Sequence, residues 1–257
     1  MTHALHAEWT KLRTVTATAW LLVSAAVLTV ALGAVVAHAV TYSAGAPQDI
    51  TKVSLTGVYI GQAIVAILAV QAISAEYSCG MIRVTLVAVP RRPVVLAAKA
   101  AIVGAVVLAA GAVAMLGSVI AGRLILPASG FTPAHGYPPL SLGHGATLRA
   151  TAGSVLYLAL IALLSLGVAA AVREAAVAIG LVLGLLYVFP IIAALVGDKH
   201  LQRHLEQIAP MSAGLAIQST VNLGHLPIAP WAGLGVLAAW AGVALLTGGL
   251  ALKLRDA

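Results

Sequence analysis

The chain has 257 residues, of which 61% are hydrophobic and 8% are charged, and its mean hydropathy is +1.06. A soluble domain carries roughly 25% charged residues, so this composition excludes a soluble globular protein and a disordered one. The formal charge of +7 does not indicate a nucleic-acid partner, because lysines and arginines also collect on the cytoplasmic side of membrane proteins. The composition predicts an all-α integral membrane protein.

Six apolar stretches are each long enough to cross the ~30 Å hydrocarbon core as a helix. They are predicted at residues 17–40, 55–75, 94–121, 150–172, 175–196 and 229–252. Residues 1–16 precede them and are predicted to form an amphipathic helix at the membrane interface, with Leu5, Trp9 and Leu12 on one face. We therefore treat residues 1–257 as a single transmembrane domain of six spans. Lys99, close to the start of the third span, is expected to extend back to the interface.

The distribution of basic residues predicts the orientation. With the N-terminus inside, nine of the 14 lysines and arginines fall in cytoplasmic segments and five fall outside. This bias predicts that both termini are cytoplasmic. The first span is longer than the roughly 7–15-residue core of a cleaved signal peptide, so an uncleaved signal anchor is expected.

The connections between spans differ in length and character. The fourth and fifth spans are joined only by Arg173 and Glu174, which predicts a tight helical hairpin. Residues 122–149 are rich in proline and glycine and are predicted to form an irregular outer loop. Within residues 197–228, the spacing of Leu201, Leu205 and Ile208 predicts an apolar stripe on a helix at the outer interface.

The same outer segment contains a pair of histidines at helical spacing. His200 and His204 are four residues apart, and Glu206 is close to them. Metal hydrolases that use this spacing place a glutamate directly after the first histidine, where this chain has Leu201. We therefore predict no metal site and no catalytic residue.

The chain also lacks the motif with which an ATPase holds phosphate groups, a glycine-rich loop that ends in Gly-Lys-Ser/Thr. No lysine of the sequence follows a glycine. The five lysines follow Thr10, Thr51, Ala98, Asp198 and Leu252. We expect this chain to hydrolyse no nucleotide.

The most informative motif connects the second and third spans. It reads Glu76-Tyr77-Ser78-Cys79-Gly80-Met81-Ile82-Arg83 and continues to Pro90-Arg91-Arg92-Pro93. A glutamate at the end of a span, a glycine break and a basic corner predict a short charged element that docks on a cytoplasmic partner. The same arginines are equally compatible with simple topology anchors, and both interpretations stay open here.

A second motif precedes the first span and reads Ala7-Glu8-Trp9-Thr10-Lys11-Leu12-Arg13. With the Glu-Tyr-x-x-Gly-x-Ile-Arg block, it resembles the ABC-2 type transporter permeases, most closely those of actinobacterial style. The resemblance covers the whole chain in the number and order of spans, and the Glu-Tyr block is its most specific part. Cys79 departs from the pattern, because a threonine or another small polar residue is expected there.

The resemblance implies a six-helix ABC-2 type transmembrane domain that pairs with a second copy or a paralogue in the bacterial plasma membrane. It implies a separate cytoplasmic ABC ATPase subunit, which binds ATP and Mg, and no cofactor in this chain. The residues that it assigns to coupling with the ATPase are Glu76, Tyr77, Gly80, Arg83, Arg91 and Arg92. Those that it assigns to the connecting helix are Glu8, Trp9, Lys11 and Arg13.

The transported molecule is constrained only by the apolar spans and the surrounding membrane lipid. Seven acidic residues all map to loops or span ends, which disfavours a proton-coupled transporter. Gln62 and Gln71 in the second span either line a translocation path or satisfy neighbouring helices. We expect export of a hydrophobic or amphipathic substrate, such as a lipid, an antibiotic or a peptide. The alternatives are a structural or signalling subunit of similar fold that transports nothing and, less favoured, an intramembrane enzyme.

Overall fold

The computed structural model describes residues 2–43, 47–81 and 92–255, and these residues form an all-helical protein. The described α-helices are α1 (Thr2–Thr14), α2 (Thr16–Ala39), α3 (Ile50–Ser54), α4 (Val58–Ser78), α5 (Arg92–Ile125), α6 (Gly145–Val172), α7 (Ala175–Leu183), α8 (Phe189–Leu195), α9 (Lys199–Ile208), α10 (Pro210–Leu215) and α11 (Pro230–Arg255). Single 3₁₀ turns lie at Pro133–His135, Ala216–Gln218 and Leu223–His225, and a π-helical segment lies at Gly184–Val188. The predicted all-α class is confirmed.

Six of the described helical stretches are long and apolar enough to cross a membrane. They are Thr16–Ala39, Val58–Ser78, Pro93–Ile125, Gly145–Val172, Ala175–Leu195 and Pro230–Leu254. The protein is therefore a multi-pass membrane protein. The third and fourth spans, α5 and α6, are longer than the predicted apolar stretches because their flanking residues continue the helix. The helical backbone satisfies its own hydrogen bonds, which lipid cannot satisfy.

The chain reverses direction at each span, so two ends of the helix bundle can be distinguished. We call the end where α1 meets the end of α4 and the start of α5 the α1 end. Within the bundle, α4 and α6 are the most buried spans, whereas α2 and the fifth span present most of their surface outward. Tyr157, Leu158 and Ile161 of α6 lie in the buried centre.

Glycines allow the spans to approach closely at two helix crossings. A Cβ atom at Gly57 would lie 1.7 Å from the carbonyl oxygen of Thr29 in α2, so the start of α4 touches the backbone of α2. A Cβ atom at Gly167 of α6 would lie 2.4 Å from the carbonyl carbon of Ala244 in α11. Small residues at such crossings are the usual basis of helix association in lipid, where dispersion contacts replace the hydrophobic effect.

The fourth and fifth spans form the predicted tight hairpin at the α1 end. Arg173 ends α6 with a φ of 69°, in the left-handed region that residues other than glycine rarely adopt. The Glu174 carboxylate then accepts hydrogen bonds from the backbone N–H groups of Ala176 and Val177, at 2.9 and 2.7 Å. These bonds cap the free N-terminal donors of α7.

The fifth span is irregular in its second half. Its α-helical hydrogen bonding is interrupted by the π-helical segment Gly184–Val188, and Pro190 follows within the first turn of α8. The Tyr187 hydroxyl, inside this segment, donates to the backbone carbonyl oxygen of Tyr59 in α4. Irregular turns of this kind are frequent at functional sites, and here the turn directs a polar group towards the second span.

At the end opposite α1, two charged side chains hold the segment that precedes the sixth span. The Asp49 carboxylate accepts from the Thr220 hydroxyl at 2.7 Å and from the Thr220 and Val221 N–H groups at 2.5 and 3.3 Å. The Arg149 guanidinium donates to the Ser219 carbonyl oxygen at 2.6 Å. The segment is therefore attached to both α3 and α6.

Candidate functional site

Four charged side chains meet at the α1 end of the bundle, and we call them the charge cluster. They are Glu8 and Lys11 from α1, Glu76 from the end of α4 and Lys99 from the N-terminal part of α5. Their side chains are 5%, 32%, 9% and 3% exposed, in that order. The cluster therefore attaches α1, which lies outside the spans, to the second and third spans through largely buried ion pairs.

Lys99 occupies the centre of the cluster. Its ammonium donates to Glu8 Oε2 at 2.5 Å, to Glu76 Oε1 at 2.9 Å and to the carbonyl oxygen of Ala72 at 2.9 Å. An ammonium has three protons, so these three bonds use its full donor capacity. The expectation that Lys99 extends back to the interface is therefore wrong, because two carboxylates and a carbonyl hold its charge inside the bundle.

Lys11 joins the same two carboxylates from the more exposed side. Its ammonium lies 3.0 Å from Glu8 Oε1 and 2.8 Å from Glu76 Oε1. Burial by itself lowers the pKa of Lys11, but the hydrogen bonds to Glu76 and Glu8 and the charges of both carboxylates together raise it above its ordinary value. Lys11 is thus held in its charged form in the folded protein.

The charge cluster contains two carboxylates and two ammonium groups, so its net charge is zero. Loss of one partner from a buried pair leaves an uncompensated charge, which costs about 3–5 kcal/mol. One hydrogen-bonding group stays unused: Glu76 Oε2 is buried and has no hydrogen-bond partner among the described residues. The cluster can therefore fix α1 in place and can still accept one further hydrogen bond.

The residues predicted to couple with an ATPase divide into three groups. Glu76 and Tyr77 point towards the bundle, and the guanidinium carbon of Arg173 lies 5.4 Å from the centre of the Tyr77 ring. Gly80 is exposed and ends the α4 region with φ of 70°. Arg83 and Arg91 lie outside the described residues, and Arg92 is described only as the first residue of α5.

The residues predicted for the connecting helix face two ways. Glu8 and Lys11 enter the charge cluster, whereas Trp9 is 46% exposed and Arg13 is also exposed. The polar side of α1 thus provides its attachment to the bundle. The Trp9 indole remains on the outer surface of α1, where an amphipathic ring suits the depth of lipid headgroups.

The two glutamines of the second span have different surroundings. Gln62 is fully buried, and it accepts a hydrogen bond from the Tyr157 hydroxyl and donates to the Met211 sulfur at 3.4 Å. Gln71 is exposed and lines a cavity beside the charge cluster. Gln62 therefore links α4 to α6 and α10, and Gln71 is the glutamine with a free surface.

Two residues outside the predicted sites contribute to this end of the bundle. Lys99 completes the charge cluster, and Arg173 contacts Tyr77 and donates to the Ala251 carbonyl oxygen of α11 at 2.9 Å. A signal for Lys99 was present, because a cation inside an apolar helix needs a carboxylate partner, and Glu76 ends the preceding span. For Arg173, the sequence contains no comparable signal.

His200 and His204 do not assemble a metal site in the described part of the chain. The His200 and His204 rings lie 4.8 Å apart, but among the described residues no group of three His, Cys, Asp or Glu side chains is placed to hold a metal ion. Asp198 is used elsewhere, since it accepts the His200 N–H at 2.8 Å and caps α9.

Comparison with known proteins identifies the family. Residues 4–197 match the family described as "ABC-2 family transporter protein", and this range includes most of α1, the charge cluster and the first five spans. Among curated proteins, none matches the chain significantly. The family match extends over more than half of the chain and agrees with six long apolar helices. The chain therefore belongs to the ABC-2 family of transporter membrane proteins.

Proposed function

We propose that this chain is the permease subunit of an ABC exporter for hydrophobic or amphipathic molecules, driven by a separate cytoplasmic ATPase. ABC-2 family membership supports an ATPase partner in general. Two copies, or one copy and a paralogue, form the transport path in the plasma membrane, and both termini are cytoplasmic. The actinobacterial style of the sequence stays a prediction.

The charge cluster is the single observation that best supports this proposal. A pair of ATPase subunits that closes beneath the membrane must move several spans together. A surface helix that is loosely attached to the spans would not transmit that motion. The cluster instead holds α1 to α4 through the Lys11–Glu76 ion pair at 2.8 Å and to α5 through the Lys99–Glu8 ion pair at 2.5 Å. Displacement of α1, or of the connection that follows α4, is therefore passed to the second and third spans.

In this mechanism, ATP binding draws two ATPase subunits together and changes the relative stability of inward-open and outward-open states. Glu76 and Tyr77 anchor the end of the second span inside the bundle, and Gly80 starts the connection that faces the partner. We assign the direct contacts with the ATPase to the connection that contains Arg83, Arg91 and Arg92. Glu76 has a different role, since it ties that connection to α1 and α5.

Reconstitution with its ATPase tests the proposal. The reading frame next to this one is expected to encode an ATPase with a Gly-Lys-Ser/Thr loop. The two chains, expressed together, are expected to purify as a complex whose ATP hydrolysis in lipid nanodiscs depends on the permease. A permease that is stable and functional without any ATPase would contradict the proposal and favour the structural or signalling subunit.

A further inference from the structure

A cavity of about 360 Å³ lies beside the charge cluster, between α1, the start of α2, the second half of α4 and the start of α5. Most of its wall is apolar and includes Leu21, Leu68 and Val103. The four residues of the charge cluster lie at its polar end. An apolar chamber with one polar end has the shape and chemistry of a site for an amphiphile.

The size of the cavity limits its occupant. Ligand pockets are usually about 300–1,000 Å³ in volume, so this cavity falls near the lower limit. Such a volume suits a molecule with one alkyl chain and is too small for a lipid with two. The cavity is placed at the α1 end of the spans, where the tail of an amphiphile can lie along apolar helices while its head reaches polar groups.

The hydrogen-bonding state of the charge cluster specifies the head group. The Lys99 ammonium has used all three protons, and the Lys11 ammonium already donates to both carboxylates. On the acceptor side, Glu76 Oε2 has no partner in the described part of the chain. A head group that donates a hydrogen bond therefore finds an unused acceptor, whereas an anionic head group would face that same unpaired carboxylate oxygen.

We infer that this cavity binds a single-chain amphiphile whose head, an ammonium or a hydroxyl group, donates a hydrogen bond to Glu76. That this amphiphile is also transported rests on the proposed function. The lining residues described here all belong to this chain, so binding is tested on the chain without an ATPase.

The chain contains its own reporter for this site. Cys79 is its one cysteine, is exposed and lines the cavity. The protein in nanodiscs is treated with N-ethylmaleimide at about pH 8, with and without dodecylamine or dodecanol. At about ten times the dissociation constant, either ligand is expected to slow alkylation of Cys79 about tenfold, because only the unoccupied fraction reacts. Hexylamine, with its shorter chain, and dodecanoate, with its anionic head, are expected to protect much less.

Two matched variants separate binding from a general effect on the membrane. In Cys79→Ala/Leu254→Cys, the thiol is moved to an exposed position on α11 at the same end of the bundle, and the amphiphiles are expected to leave its alkylation rate unchanged. Ala75→Phe, which fills the cavity wall, is expected to abolish protection of Cys79. Val113→Phe, on the outward face of α5, is expected to preserve it.

The inference is overturned if neither dodecylamine nor dodecanol slows alkylation of Cys79, or if both slow alkylation of the α11 thiol equally. Equal protection by dodecanoate contradicts the assignment of a donor head group. Because no ATPase is present, the result is independent of coupling. Protection of Cys79 together with an ATPase that does not respond to the permease would retain the site and refute the proposed function.

Discussion

Lys99 and Glu8 are 91 positions apart in the sequence, yet the Lys99 ammonium lies 2.5 Å from Glu8 Oε2 in a buried site. This pair attaches a helix outside the spans to a helix inside them. The charge of Lys99 is balanced inside the bundle, so its partner cannot be removed without cost.

Lys99→Met is expected to lower the free energy of unfolding by about 3–5 kcal/mol, because Glu8 and Glu76 lose the more deeply buried of the two cations that compensate them. Unfolding in mixed micelles measures this change. Lys99→Met/Glu8→Gln, which restores a net charge of zero to the cluster, is expected to recover part of the loss. A single variant as stable as the wild type would show that the pair is not buried as described.

Lys11 predicts a dependence of stability on pH. Its pKa is raised above the ordinary value of 10.5 in the folded protein, so its contribution is fully present below pH 10.5 and is lost as the pH rises through the folded pKa. The stability difference between wild type and Lys11→Met is expected to be constant between about pH 8 and 10 and to shrink above 10.5. Chemical unfolding of both proteins across this range measures the difference. A difference that persists unchanged at higher pH would contradict the ion-pair assignment.

The crossing of α6 and α11 predicts the effect of a single methyl group. Gly167→Ala is expected to destabilise the protein by about 1–3 kcal/mol, since overpacking forces backbone shifts and a Cβ there would lie 2.4 Å from Ala244. Gly180→Ala is the control, because nothing lies within 4 Å of a Cβ at that position. Thermal unfolding compares the two variants, and equal effects would refute the close approach.

At the end of the bundle opposite α1, Asp49→Ala is expected to speed amide hydrogen exchange at Thr220 and Val221 about tenfold or more. The reason is that a hydrogen bond to a charged group contributes about 1.5 kcal/mol or more to stability. Exchange monitored by mass spectrometry measures this release. Asp198→Ala, which removes only the cap at His200 of α9, is expected to leave that segment unchanged. Similar exchange in both variants would mean that Asp49 does not hold the segment.

The sequence predicted the six spans, because hydropathy over about 20 residues depends on the lipid and not on neighbouring helices. It also predicted the hairpin at Arg173 and Glu174, since two residues leave no room for another path. Hydropathy and loop length could not predict the position of the Lys99 ammonium. A lysine near a helix end can place its charge in water at the interface or pair it with a buried carboxylate. The choice depends on which side of α1 faces the bundle, and that is decided by packing across long sequence separations.

The break in the fifth span shows a second limit. Residues 175–196 have one continuous apolar pattern, but the backbone changes to π-helical geometry at Gly184–Val188. The Tyr187 hydroxyl reaches the Tyr59 carbonyl oxygen from this segment. Hydropathy does not depend on a tertiary hydrogen bond of this kind. The apolar composition therefore predicted the length of the span and not its irregular backbone.

The central claim, that the charge cluster passes motion between the ATPase and the spans, is tested most directly by ATP hydrolysis of the reconstituted complex. Glu76→Lys places a third cation beside Lys11 and Lys99, and Glu76→Lys/Lys99→Glu returns the cluster to zero net charge. We predict that the single variant loses permease-dependent hydrolysis or complex assembly and that the exchanged pair recovers part of it. A Glu76→Lys complex that assembles and hydrolyses ATP at the wild-type rate would contradict the claim.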